Sequence, residues 1–297
     1  MRNDDCSSTN TGKAPEMASM SPDALPSGSV SSGYVGRRME RWRQGHGEQV
    51  EDCIAEEMPI AMQYNGVSFA VMMATPRDLE DFALGFSLSE RLVAEPAQLE
   101  SIVQAELLEG IRLSITVAPA APAARLDGAT QRLLPGRGSC GICGARELED
   151  AVRQPERIRH AATFRTGALE RALAQLQARQ PMNAATGAMH AAVWADAEGN
   201  VMLVREDVGR HNALDKLIGA MVRAGMAPGS GMLLLTSRAS YEMVAKAACA
   251  GIGFMAAISA PTALAVELAR SAGVCLVGFA RPGSHNIYTH PERLVSG

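Results

Sequence analysis

The sequence predicts an α/β fold: a mainly parallel sheet with helices on its faces, preceded by a smaller N-terminal α+β part. Three observations predict it. From residue 190 onward, short apolar runs alternate with stretches of helical period. The runs at 232–236, 254–259 and 274–279 carry few polar side chains, as strands covered on both faces do. Upstream, two apolar runs at 60–64 and 67–73 flank Asn65-Gly66, a strong hairpin signal. With 297 residues, 47% hydrophobic and 20% charged, the chain has enough apolar material for a core. It has only two Trp, four Tyr and six Phe, so Ala, Val, Leu, Ile and 16 Met must build most of that core.

Taken in order, residues 1–33 are rich in Ser, Asn, Gly and Pro and read as a disordered tail. Residues 34–50 are basic and polar, with Arg37, Arg38, Arg41 and Arg43, and read as a solvated connector; an edge strand or partner-binding arm is the alternative. Thr75-Pro76 opens a helix over 77–92, with Thr75 as N-cap. Residues 113–117 read as a strand. The loop 118–139, made of Ala, Pro, Gly and Arg, is long enough to point to a functional or mobile segment. Helical runs follow at 145–154 and 167–179, then strands at 190–194 and 201–205 and a helix at 212–224. The strand at 232–236, helix at 241–250, strand at 254–259, helix at 262–271 and strand at 274–279 complete the pattern. There is no internal repeat. The organisation is thus a tail (1–33), an N-terminal part (34–135) and an α/β domain (136–297).

A net charge of −4 and a pI near 5.9 argue against nucleic acid as a general partner. Six cysteines are too few for a disulfide-stapled scaffold. Residues 1–30 lack the apolar segment of a signal peptide, which makes the cytoplasm the expected compartment. The uncharged stretch 247–266 is long enough to span a bilayer. Gly251, Gly253, Ser259, Pro261 and Thr262 interrupt it, so it reads as a buried helix, a strand and a helix start, with no membrane association expected.

The sharpest chemical feature is Gly138-Ser139-Cys140-Gly141-Ile142-Cys143-Gly144. Two intervening residues let both sulfurs meet at a turn, and the glycines leave room for a bulky ligand or a second macromolecule. Arg137 and the start of a following helix favour thiolate over thiol. Zinc lacks its second pair of ligands. A thioredoxin-like exchanger would place its pair after the first strand of a βαβ unit. A persulfide carrier remains: one thiolate holds a sulfane sulfur and its neighbour assists release by attacking the disulfide-like bond. Two inert buried cysteines are the bland alternative, disfavoured by the Gly-rich setting. A zinc nucleobase deaminase would need His-x-Glu before Pro-Cys-x-x-Cys. Here His190-Ala191-Ala192 lacks the Glu and follows the cysteines.

Other polar groups gather at strand-to-helix junctions, where ligands bind parallel sheets. Residues 206–216 offer Asp207 and Arg210, with helix-start amides for a phosphate, against a reading as helix caps and ion pairs. His190 and His211 read as structural. Arg238 lies near a helix start whose N-cap is Ser240, and Ser259-Ala260-Pro261-Thr262 repeats that geometry. Phe279-Ala280-Arg281-Pro282-Gly283-Ser284 supplies an aromatic face, a guanidinium and an open backbone, which suit a guanine ring and its pyrophosphate. The nucleotide motifs of hydride transfer and ATP hydrolysis are absent.

Together these stretches resemble the formate dehydrogenase accessory sulfurtransferase family, the FdhD-type sulfur carriers. The resemblance runs from about residue 56 to the end. It rests on 139–144, 186–192, the string EDVGRHNALDKLIG at 206–219, 237–252, 259–266 and 278–289, with Gly85-Phe86-Ser87-Leu88-Ser89-Glu90 upstream. Ala188 stands where a second Gly is expected. The resemblance implies a domain similar to the cytidine deaminase fold, with three layers, and a dimer. It implies that sulfur from a cysteine desulfurase is carried as a persulfide on Cys140, with Cys143 assisting. The acceptor would be the molybdenum (or tungsten) bis(molybdopterin guanine dinucleotide) cofactor, contacted by Phe279 to Ser284, before that cargo enters the formate dehydrogenase catalytic subunit. The alternative is a non-catalytic chaperone whose cysteines only anchor the cofactor.

Overall fold

Two hairpins open the structure. This computed structural model describes residues 31–126, 155–159 and 162–297. Strands β1 (Tyr34–Arg43) and β2 (His46–Ala55) pair antiparallel along their full length. The basic run is therefore one half of a two-stranded ribbon, not a connector. Its register sets Arg37 opposite Asp52, Arg38 opposite Glu51 and Arg41 opposite Glu48. Such cross-strand pairs offset charge that would otherwise destabilise an exposed ribbon.

A four-stranded sheet follows, in the order β4-β3-β6-β5, from β3 (Met58–Tyr64), β4 (Val67–Ala74), β5 (Leu99–Leu107) and β6 (Gly110–Val117). Helix α1 (Leu79–Ser89) packs on it through Phe82 and Phe86, over Ile60, Met62, Tyr64, Leu113 and Ile115. The expected start of this helix needs correcting. Its N-cap is Asp78, in the left-handed region at φ 54°. Thr75 is buried, and its amide donates to Asp207 Oδ2 at 3.0 Å.

The remainder forms a six-stranded sheet between two helical layers. Its elements are β7 (Phe164–Arg165), α2 (Thr166–Leu176), α3 (Pro181–Thr186), β8 (His190–Ala195), β9 (Val201–Asp207), α4 (Arg210–Arg223), β10 (Met232–Leu235), α5 (Tyr241–Cys249), β11 (Phe254–Ala257), α6 (Ala263–Ala272), β12 (Cys275–Arg281), β13 (Ser284–Thr289) and β14 (Leu294–Val295). The sheet runs β13-β12-β11-β10-β8-β9, and the short β7 pairs with β14 outside it. The central β10, β11 and β12 are parallel, whereas β8, β9 and β13 flank them antiparallel. The sheet is thus mixed, with the expected parallel pairing confined to its middle. Along β10, Leu233 and Leu235 face Leu214, Val244 and Leu268 of α4, α5 and α6. Met232 and Leu234 face the layer of Leu169, Ala172 and Leu173 of α2.

Two glycines lock the four-stranded sheet's helix to this layer. A Cβ on Gly85 of α1 would collide with the backbone of Asp215 and Gly219 in α4. A Cβ on Gly219 would collide with the backbone of Asp81. Only glycine at both positions permits this approach. The uncharged stretch 247–266 comprises the end of α5, β11 and the start of α6. Among the described residues, no helix is long and apolar enough to cross a membrane.

Candidate functional site

The polar junctions that the sequence singles out converge at the carboxyl ends of the parallel strands. Ile258 N donates to Leu235 O at 3.0 Å, Thr262 N to Ala239 O at 3.0 Å, and Phe279 N to Ser259 O at 3.2 Å. These bonds stitch the loops after β10, β11 and β12 into one rim. Gly278 sits where a Cβ would press on Pro261 and Tyr288 at 2.9 Å each. Thr262 caps α6 by accepting from Ala265 N. Ser240 occupies the cap position of α5, but its side chain makes no capping bond.

At the end of β12 the chain bulges between Gly278 and Arg281. Phe279 there holds φ 51° and is 42% exposed. A left-handed aromatic residue is strained, and a bulge re-aims the side chain it carries. Ala280 turns inward and is buried, whereas Arg281, Pro282, Gly283 and Ser284 are exposed. Arg281 pairs with Ser284 across Pro282-Gly283, and Gly283 has φ 81°, which a type II turn requires at that place. Gly283 N donates to Glu170 Oε2 of α2 at 2.7 Å, and His285 Nδ1 lies 3.7 Å from Glu170 Oε1. No sequence signal marks Glu170, which stands 113 residues from Gly283.

The dense segment at 206–216 divides. Asp207 does not face a ligand. It is fully buried, its Oδ2 accepting from Thr75 N and from Lys216 Nζ at 2.6 Å, and its Oδ1 from Gly209 N at 2.8 Å and Asn212 Nδ2 at 2.9 Å. Glu206 accepts from the amides of Met182 and Asn183 at the start of α3; burial nevertheless pushes its carboxyl above the usual range. Asp215 accepts from Ser89 at 2.6 Å and from Lys246 at 2.9 Å. Arg210 and His211 are different. Among the described residues, Arg210 Nε and both ring nitrogens of His211 are buried with no hydrogen-bond partner, and Glu242 Oε2 lies 3.9 Å from His211 Nε2. Burial lowers the His190 pKa, and the Arg210 charge lowers it further. Cys140 and Cys143, with Arg137 and the helical run 145–154, lie outside the described residues.

A family model described as FdhD/NarQ matches residues 55–295. The chain belongs to the FdhD/NarQ family. Among its relatives is a protein of Xanthomonas campestris pv. campestris (strain B100) named Sulfur carrier protein FdhD, 55% identical over 272 residues, covering 92% of this chain and 96% of that one. A protein of the same name from Cupriavidus necator is 51% identical over 256 residues, covering 86% and 88%. The crystal structure of a protein from Desulfotalea psychrophila, described as a candidate formate dehydrogenase accessory protein, superposes with a TM-score of 0.68 at 21% identity. It covers 88% of this chain and 99% of its own. This likeness shows that the FdhD/NarQ chain shares that fold. The FdhD/NarQ match begins at residue 55, where the β1–β2 ribbon ends, so it omits most of that ribbon.

Proposed function

We propose that this chain is a sulfur carrier for formate dehydrogenase maturation, acting in the cytoplasm as a homodimer. The carrying observation is identity above half over nine-tenths of the chain with a protein named as a sulfur carrier. The cysteine pair supplies the chemistry. The Cys140 thiolate attacks the outer sulfur of a cysteine desulfurase persulfide; that S–S bond breaks and the desulfurase leaves as thiolate. Cys140 then holds the sulfur as a persulfide. Attack by the Cys143 thiolate on the inner sulfur forms a Cys140–Cys143 disulfide and frees sulfide. The sulfide is taken by the metal centre of the bis(molybdopterin guanine dinucleotide) cargo, and a thiol reductant restores the dithiol with two electrons.

The strand-end rim suits the nucleotide part of that cargo. Phe279 presents an aromatic face, Arg281 a guanidinium and Gly283 an exposed turn held by Glu170. The test is mass spectrometry after incubation with a desulfurase and cysteine. One added sulfur on the Cys140 peptide supports the carrier. No added sulfur, with cofactor binding intact, supports a chaperone instead.

A further inference from the structure

Beside the edge strand β9 lies a pocket of about 420 Å³, within the range of about 300–1,000 Å³ in which small-molecule sites fall. β9 ends the six-stranded sheet, and β12 with its turn stands four strands away. Met202 and Val204 of β9 line the pocket, together with Arg179 and Pro181 at the α2–α3 junction and Arg77-Asp78 before α1. A sheet edge ordinarily offers its backbone to another strand, and charged side chains on it discourage that pairing. Here two β9 carbonyls already hold guanidiniums: Val201 O accepts from Arg179 Nη2 at 2.7 Å and Val204 O from Arg205 Nη1 at 2.9 Å. The pocket therefore meets a ligand with side chains, not with a backbone ladder.

The charges define that ligand. Arg205 is spent on Asp81, 2.7 Å away. Asp78 lies 3.9 Å from both Arg77 and Arg205, and Glu206 accepts from the amides of Met182 and Asn183. The two carboxylates that line the pocket thus have partners of their own. Arg179 differs. It is exposed, gives one hydrogen bond to Val201 O and, among the described residues, pairs with no carboxylate. A guanidinium carries five N–H donors in a fork that fits a carboxylate, so most of its capacity is unspent. The surface next to it is apolar: Met202 is 49% exposed, and a thioether side chain adapts to varied apolar shapes. We propose that this pocket binds a carboxylate carried on a short apolar body, with the carboxylate on Arg179 and the body along Met202 and Val204. A free aliphatic acid and the C-terminus of an apolar peptide share that chemistry. The site is independent of the sulfur-carrier reading.

The test titrates the full chain with hexanoate, hexanamide, acetate and the N-acetylated tripeptide Ala-Val-Leu with a free C-terminus, followed by calorimetry. Hexanoate should bind about tenfold or more tightly than hexanamide, which lacks the charge, and than acetate, which lacks the body. Arg179→Gln should weaken hexanoate by about tenfold or more, and Arg179→Lys should recover part of the loss. Met202→Ser changes an exposed side chain, keeps the melting temperature and should weaken hexanoate without weakening acetate. A tripeptide bound at least tenfold more tightly than hexanoate points to a peptide C-terminus; similar affinities point to a free acid, and either supports the site. A wild type that binds neither probe, equal affinity for hexanoate and hexanamide, or wild-type affinity in both Arg179→Gln and Met202→Ser overturns it. Sulfur gain on Cys140 is read separately: its loss with hexanoate binding intact sinks the carrier and leaves this site standing.

Discussion

Lys216 Nζ lies 2.6 Å from Asp207 Oδ2, and neither side chain is exposed. The same ammonium donates to Thr75 O at 2.9 Å, and the same carboxylate accepts from Thr75 N. The pair therefore pins the segment before α1 to the start of α4, two parts of the chain more than a hundred residues apart. The polar density of 206–216 is in large part this clamp. A charge buried with its partner is tolerable because every lone pair is met, and removing one member strands the other. Asp207→Asn should destabilise the fold by about 3–5 kcal/mol. Denaturant unfolding measures it. A loss below roughly 1 kcal/mol would mean that the clamp carries little.

The contact of α1 with α4 makes a separate prediction about backbone spacing. Gly219→Ala adds one methyl where the backbone of Asp81 already stands. Helix propensity alone favours Ala over Gly by about 1 kcal/mol, so an uncrowded site would gain stability. Overpacking should reverse the sign, with a net loss of about 1–3 kcal/mol. A melting temperature above wild type would show that the two helices separate freely.

Much of the six-stranded sheet was legible because its strands are apolar runs bounded by Gly, Pro or Ser: 232–236, 254–259 and 274–279 all fall on strands. The N-terminal part was less so. Strand β5 lies at a sheet edge with most of its side chains exposed, so no two-residue alternation marks it. The β1–β2 ribbon likewise has no buried face to impose a pattern. Thr75-Pro76 looked like a helix cap because caps and buried backbone anchors use the same residue types; only Asp207, 132 residues away, tells them apart. At the rim, strand-end positions for Ser259, Phe279 and Arg281 followed from the pattern. The orphaned state of His211 and Ser240 is a property of their surroundings and is invisible in sequence.

Cys275 is fully buried, and that burial pushes its thiol up to about 12 from 9.0, with the Arg293 charge opposing. In the unfolded chain the thiol ionises from 9.0 upward, whereas the folded one stays neutral. Stability from this group is therefore complete below pH 9 and is lost as the pH rises towards 12, by up to about 1.4 kcal/mol per pH unit. Cys275→Ala should flatten the stability profile between pH 9 and 11 by up to one proton's slope. The buried thiol should also resist alkylation in the native protein. Added sulfur found on the Cys275 peptide after desulfurase treatment would contradict this assignment.

Glu170 makes the final prediction, because it acts on the 279–284 turn without belonging to it. Its carboxylate accepts from Gly283 N at 2.7 Å and so ties the turn to α2. Glu170→Ala removes the acceptor and frees the turn to sample other conformations; Glu170→Gln keeps an acceptor oxygen. If the turn holds the guanine nucleotide, GDP affinity should fall about three- to tenfold in the Ala variant, the worth of roughly 1 kcal/mol of lost ordering. It should recover in the Gln variant. Both proteins should melt near wild type, since Glu170 is partly exposed and supports no core. Equal GDP affinity in wild type and Glu170→Ala, with Arg281→Ala also unaffected, would move the nucleotide away from this turn.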